Sequence, residues 1–225
     1  MPKIKHERME EIRHMENVFE WSDYNSAHPF PKGTWNSGIF GNDHPIVLEL
    51  ACGKGEYSRG LGKLYPNKNF IGFDIKGNRL WVGAKQALEQ GLDNVRYFRA
   101  YIDHLDQFFD ENEIDEIWII FPDPQLKKDR KKLTSPKFLQ LYRPLLKKGA
   151  TINLKTDSPE LYEFTKEVIE EQGLNLHRDI GDVYSECPDD PELSIRTYYE
   201  GMHLKKGRTI RFFPFLSIRK HSIIP

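Results

Sequence analysis

The chain has 225 residues, 38% hydrophobic and 30% charged, with a formal net charge of −1. This length supports one well-buried domain and is short for two. No apolar run reaches the ~20 residues that cross a bilayer, and the opening MPKIKHERMEEIRHMEN lacks the apolar core of a secretory signal. Cys52 and Cys187 stand in unrelated contexts, and the eight histidines have no HExxH or CxxC companions. No metal site is therefore expected, and the plain reading is two reduced thiols in a cytoplasmic protein, monomeric or homodimeric.

Taken in chain order, residues 1–44 show no clear periodicity and are expected to form an irregular extension, with room for a short helix, over a main domain at 45–225. PIVLELA (45–51) reads as a buried strand and 55–65 as a helix. NFIGFD (69–74) is a second strand, followed by a helix at 77–90 that Gly91 ends. NVRYF (94–98) and DEIWIIF (115–121) are the third and fourth strands. A helix over 135–146 opens with Ser135 and Pro136, and GATINLKT (149–156) is a fifth strand. A helix at 158–172 has the same Ser-Pro opening, and extended segments follow at 174–183 and 208–218. Continuous apolar strands alternating with helices predict an α/β fold, a mostly parallel sheet with helices on both faces and an antiparallel edge. In such sheets ligands bind at the carboxyl ends of the strands.

The near-neutral total conceals an asymmetry. Residues 121–148 carry a local balance of +7 and residues 205–220 one of +6, leaving −14 on the remainder. Such a distribution fits a polyanion-binding face on an acidic body, although a solvated lysine-rich loop explains the charge equally well.

The first strand runs through Glu49 into Cys52-Gly53-Lys54-Gly55, where glycines permit a tight turn and close approach of a ligand to the backbone. Asp74 ends the second strand, in place to grip two ribose hydroxyls. A dinucleotide site shares both features. Here, however, the third glycine of GxGxxG is Ser58, and Glu49 would repel a pyrophosphate while attracting a sulfonium or ammonium group. S-adenosylmethionine has both cations and no phosphate, so the carboxylate favours it over a nicotinamide cofactor.

The fourth strand ends in Phe121-Pro122-Asp123-Pro124, two prolines holding one carboxylate at the sheet edge just before the basic run Lys127, Lys128, Arg130, Lys131, Lys132. This arrangement fits in-line methyl transfer, where alignment of donor and nucleophile dominates. Guanine N7 has a lone pair and no proton, so it needs no general base. The ring becomes positive as the methyl arrives, and a carboxylate such as Asp123 would stabilise it. Lys127 fits a phosphate contact.

In order and spacing, LELACGKGEY, NFIGFDIK, FPDPQLKKDRKKLTSPKFLQLY, LKTD and TYYE resemble the bacterial tRNA (guanine-N7-)-methyltransferase family, from Ile46 to the last strand. The resemblance implies a Rossmann-like class I methyltransferase fold and S-adenosylmethionine-dependent methylation of guanosine 46 in the tRNA variable loop. It implies that Glu49, Asp74 and Asp123 line the cofactor site, with Asp123 at the methyl-transfer centre. Lys127, Asp157, Thr197, Tyr198, Tyr199 and Glu200 would contact the RNA. Departures are Tyr101 where the family carries an acidic or amide residue for the adenine, with Asp103 two residues on, and Gln125 for the usual tryptophan. Lys131-Lys132 replaces a double arginine, keeping charge without the bidentate fork. Either Tyr101 packs against the adenine or Asp103 substitutes. Asp157 also reads as a helix cap, and Thr197-x-x-Glu200 as a capping box. The competing functions are another RNA or DNA base methyltransferase, a nicotinamide oxidoreductase, and a non-catalytic RNA-binding module on the same fold.

Overall fold

A computed structural model describes residues 2–24 and 27–216. Ser217 and Ile218 of the expected last extended segment, and Arg219 and Lys220 of the second basic cluster, lie outside these residues. The elements are α1 (Pro2–Glu11), β1 (Val18–Glu20), β2 (Ile46–Leu50), α2 (Glu56–Leu64), β3 (Asn69–Asp74), α3 (Gly77–Glu89), β4 (Val95–Arg99) and β5 (Ile114–Ile120). They continue with α4 (Pro136–Leu145), β6 (Leu146–Thr156), α5 (Pro159–Glu171), β7 (Asn175–Leu176), α6 (Val183–Glu186), α7 (Tyr198–Lys205) and β8 (Arg211–Leu216).

The strands form one sheet in the order β1-β4-β3-β2-β5-β6-β8-β7. Pairings from β1 through β6 are parallel, and β8 runs antiparallel between β6 and β7. The antiparallel strand is thus one position inside the edge, and it extends the sheet as expected from the late apolar segment.

Alternation along the buried strands makes two cores. Ile46, Leu48 and Leu50 of β2 join Phe73, Ile117, Ile119 and Leu154 in the core under Phe138, Tyr142, Leu161 and Ile169 of α4 and α5. Val47, Phe70, Tyr97 and Trp118 face the other way, against Tyr57 and Leu61 of α2 and Leu80 and Ala84 of α3. Glu49 shares this second side with Val47, so the period of two that buries the strand also aims one carboxylate at α2.

Residues 1–44, expected to be irregular with room for a short helix, carry the helix α1 and also a strand, β1, which joins the sheet with Val18, Phe19 and Glu20 opposite Tyr97, Phe98 and Arg99. Phe30 and Trp35 of this stretch are core components, while Trp21 stays exposed: Trp35 is fully buried, stacks on Phe109 at 5.2 Å, and donates its indole N–H to the Phe108 carbonyl at 2.9 Å. Burial of so large a ring stabilises by several kcal/mol, which is what holds the segment down. The structure also starts β6 three residues before the expected Gly149, across a register shift between Ile114 and Glu116. Of the expected extended segment 174–183, only Asn175 and Leu176 form a strand, with an isolated bridge at Ile180.

Candidate active site

Three strand ends build the site. After β2 the backbone enters the left-handed region at Ala51, Gly53 and Gly55, with φ of 56°, 58° and 58°. At Gly55 a side chain is excluded twice over, since a Cβ would also stand 2.4 Å from the Tyr97 ring. After β3, Asp74 accepts the Gly53 N–H at 2.9 Å through one oxygen and the Lys76 N–H at 2.9 Å through the other. It therefore braces the glycine turn and the start of α3, and each oxygen keeps a lone pair for a hydroxyl. After β5, Phe121 and Gln125 adopt φ of 45° and 47°, and Asp123 between them is exposed and accepts the Gln125 N–H at 3.1 Å. Left-handed non-glycine residues cost about 1–3 kcal/mol each and persist where surrounding structure imposes them. Here they flank the gap between the ends of β2 and β5.

Two cavities open on these strand ends. The smaller, of about 430 Å³, is walled by Ala51, Asp74, Ala100, Tyr101, Ile102, Asp103, Phe121 and Asp123, among others. The larger, of about 790 Å³, is walled by Phe121, Asp123, Asp157, Tyr199 and His203 and rimmed by Lys76, Arg79, Arg208 and Arg211. Asp123 lines both.

Apart from Glu49 and Glu200, the expected site residues fall into three groups, with Asp123 in two of them. Asp74, Tyr101, Asp103 and Asp123 meet in the smaller cavity, where Tyr101 is 53% exposed and the Asp103 carboxylate pairs with Lys137. Asp123, Asp157 and Tyr199 meet in the larger one. Gly53, Gly55, Lys127, Tyr198 and Thr197 stand around these cavities without walling them. Gly53 touches Asp74, Lys127 is exposed on its loop, and Tyr198 lies over the Lys54 ammonium at 4.3 Å.

Glu49 and Glu200 differ most from expectation. Glu49 is buried and turned onto α2, where one oxygen accepts the Ser58 N–H at 2.7 Å and the Ser58 hydroxyl. Burial pushes its carboxyl up to about 8, against the opposing pull of the Ser58 hydrogen bonds. Glu200, expected to contact RNA, has no exposed side-chain surface. It completes a capping box with Thr197 and pairs with Lys155 at 2.7 Å. Within the basic run Lys132 also turns inward, 2.6 Å from Asp129 and 3.9 Å above the Phe164 ring.

Sequence reasoning missed His203 and Arg79, and saw Arg208 only as one charge of the 205–220 cluster. His203 stacks on Phe121 with ring centroids 5.7 Å apart and approaches Asp157 at 3.0 Å, and Arg208 pairs with the same Asp157 oxygen. Helical spacing offered one signal: Tyr199 and His203, four apart on α7, share a face. Among the described residues, no group of three or more His, Cys, Asp and Glu is arranged to hold a metal, and no helix is long and apolar enough to cross a membrane.

A doubly wound sheet with an antiparallel strand beside its parallel run, and a cavity at the glycine turn walled by a strand-end carboxylate, defines the Rossmann-like methyltransferase class. A family described as putative methyltransferase matches residues 43–212. The tRNA (guanine-N(7)-)-methyltransferase of Porphyromonas gingivalis is 53% identical over 83% of this chain and 77% of its own. That of Bacteroides fragilis is 44% identical over 96% and 86%. The chain belongs to the tRNA (guanine-N(7)-)-methyltransferase family. Solved structures agree on the fold: a SAM-dependent methyltransferase from Aquifex aeolicus superposes with a TM-score of 0.55 at 16% identity, covering 80% of this chain and 86% of that one. The 16S rRNA methyltransferase KamB gives 0.59 at 14%, covering 77% and 88%.

Proposed function

We propose that the chain transfers the methyl group of S-adenosylmethionine to N7 of a guanosine in tRNA, at position 46 of the variable loop. The observation that carries this reading is Asp123, the carboxylate common to a cofactor-sized cavity and a larger, cation-rimmed one. The smaller cavity suits an adenosine: Ala100, Ile102 and Phe121 give apolar walls, Asp74 gives an acceptor for ribose hydroxyls, and Tyr101 offers a ring for the purine. When bound, S-adenosylmethionine supplies an electrophilic methyl on a sulfonium. Glu49 acts from behind the glycine turn: burial favours its neutral form, and the cationic end of the ligand would favour its ionised one.

The protein's own contribution is alignment and electrostatics. Pro122 and Pro124 hold Asp123 where positive charge develops on the guanine ring, and no proton needs removing from N7. Asp157 and Tyr199 face the RNA side, Lys127 reaches phosphate, and Thr197, Tyr198 and Glu200 contribute through the helix they open and the loop they brace. The deciding experiment is transfer of labelled methyl into unmodified tRNA, followed by nucleoside analysis. Label recovered as 7-methylguanosine supports the reading, and label in another nucleoside, or none, overturns it.

A further inference from the structure

The larger cavity contains an arrangement that a direct RNA contact by Asp157 leaves unexplained. The Asp157 side chain is only 10% exposed, and its Oδ2 already takes both the Arg208 guanidinium and the His203 Nδ1. Both contacts fall on the one oxygen of a nearly buried carboxylate, and a carboxylate facing the RNA unscreened would repel a polyanion. Arg208 is placed the opposite way. Its side chain is half exposed, it stands on the cavity rim with Lys76, Arg79 and Arg211, and its contacts to Asp157 and His203 both run from Nη1. The edge formed by Nε and Nη2 is the fork that matches a phosphate in two parallel hydrogen bonds.

We infer that Arg208 binds a backbone phosphate of the RNA beside the target guanosine, and that Asp157 acts on the RNA through Arg208, as its positioning residue. This rests on the proposed function. His203 ties the phosphate position to the reaction centre: it holds the same Asp157 oxygen and stacks on Phe121, two residues before Asp123. A strand gripped at Arg208 is thereby registered against the carboxylate that faces the methylated ring. Glu160, also on the rim, opposes the local positive charge, so the subsite depends on the aimed fork more than on net charge.

The test is equilibrium binding of an unmodified tRNA transcript to the full chain over a range of salt concentrations, for wild type, Arg208→Ala, Arg208→Lys, Asp157→Ala and the Asp157→Ala/Arg208→Ala double variant. Arg208→Ala should weaken binding on the order of tenfold, as for one charge-assisted hydrogen-bonding group. It should also make the salt dependence shallower by roughly 0.7–0.9 in the log–log slope. Arg208→Lys should keep the slope while losing part of the affinity. Asp157→Ala is the discriminating variant, because deleting a negative charge from a polyanion-binding face would by charge alone tighten binding, whereas loss of positioning weakens it. The double variant should bind no worse than Arg208→Ala. An unchanged slope in Arg208→Ala, tighter binding by Asp157→Ala, or additive losses in the double variant each overturn the inference. Should Asp157→Ala not fold, the slope of Arg208→Ala decides alone. Failure of the wild type to bind tRNA with any salt dependence is a different result, and removes the functional reading itself.

Discussion

Lys155 and Glu200 form an ion pair at 2.7 Å in which neither side chain has any exposed surface. The three donors of the Lys155 ammonium are shared among Glu200, the Leu193 carbonyl at 2.8 Å, the Tyr57 hydroxyl at 3.2 Å and the Ile195 carbonyl at 3.4 Å. Glu200 in turn receives the Tyr184 hydroxyl at 2.9 Å and the Thr197 N–H at 3.3 Å. Burial pulls the Lys155 ammonium below its ordinary value, and Glu200 is the main group holding its charge. The pair pins α7 beneath the Phe121 turn. Glu200→Ala leaves a buried, uncompensated ammonium and should cost about 3–5 kcal/mol, whereas Lys155→Met/Glu200→Leu together should recover much of that loss. Urea unfolding of both variants checks it. A single substitution costing under about 1 kcal/mol would mean the ammonium finds water.

In the proposed reaction Asp123 carries the mechanism. Asp123→Asn keeps the shape between its prolines and removes the charge, so single-turnover methylation should fall by about 100–1,000-fold. Affinity for tRNA and cofactor should change far less, and thermal unfolding should stay near wild type because the side chain is exposed. Normal turnover by a folded, saturated variant would make the carboxylate structural.

Asp74 braces the glycine turn and, in the proposed site, also holds the ribose. Asp74→Ala should weaken S-adenosylmethionine binding by about 1.5–3 kcal/mol, the worth of hydrogen bonds to a charged group. Titration calorimetry reads this directly, and unchanged affinity removes Asp74 from the ribose site.

Glu49 gives the protein a pH dependence of unusual sign for a carboxylate. Its folded value of about 8 lies above the ordinary 4.5. Between the two, the folded chain holds a proton that the unfolded chain has released, so this group's contribution to stability declines as pH rises from about 4.5 and levels off above about 8. Glu49→Gln should flatten that decline, seen as a smaller difference between urea midpoints at about pH 6 and about pH 8.5. A cation bound nearby favours the ionised form, so wild-type cofactor affinity should climb over the same interval and that of Glu49→Gln should not. Parallel stability profiles would show that Glu49 is ionised throughout.

Lys132 separates from its neighbours in the basic run. Alanine at Lys127, Arg130 and Lys131 should flatten the salt dependence of tRNA binding by roughly 0.7–0.9 for each phosphate no longer gripped. Lys132→Ala should instead lower thermal stability, because it removes the partner of Asp129 and the cation over Phe164, and leave the slope alone. A slope change from Lys132→Ala would place its ammonium on RNA.

The central strands β2, β3 and β5 were legible because both of their faces are largely buried and their apolar runs are continuous. The strand ends then located Gly53, Asp74 and Asp123. β1 was not legible, since three residues, Val18-Phe19-Glu20, carry no period of their own and become a strand only by pairing with β4. Thr197-x-x-Glu200 showed the capping box, but the burial of Glu200 and Lys132 was hidden for a related reason: a charged side chain reads as solvated until the groups that enclose it, Lys155 for one and Phe164 for the other, are known in three dimensions. His203 stayed unread because no helix was placed there, and its spacing of four from Tyr199 gains meaning only once Phe121 and Asp157 are beside it.

β8 is inserted between β6 and β7, so its position in the sheet has a consequence for how the molecule is made. During vectorial synthesis the parallel strands can assemble as they emerge, but β7 has no partner until residues 211–216 are free of the ribosome. Until then the β6 edge is open, and Phe213 and Phe215 have yet to reach the core. The nascent chain therefore presents an unpaired strand edge late in its production, the state most exposed to aggregation. Arg208, which lies just before β8, reaches the cavity only when that strand closes the sheet.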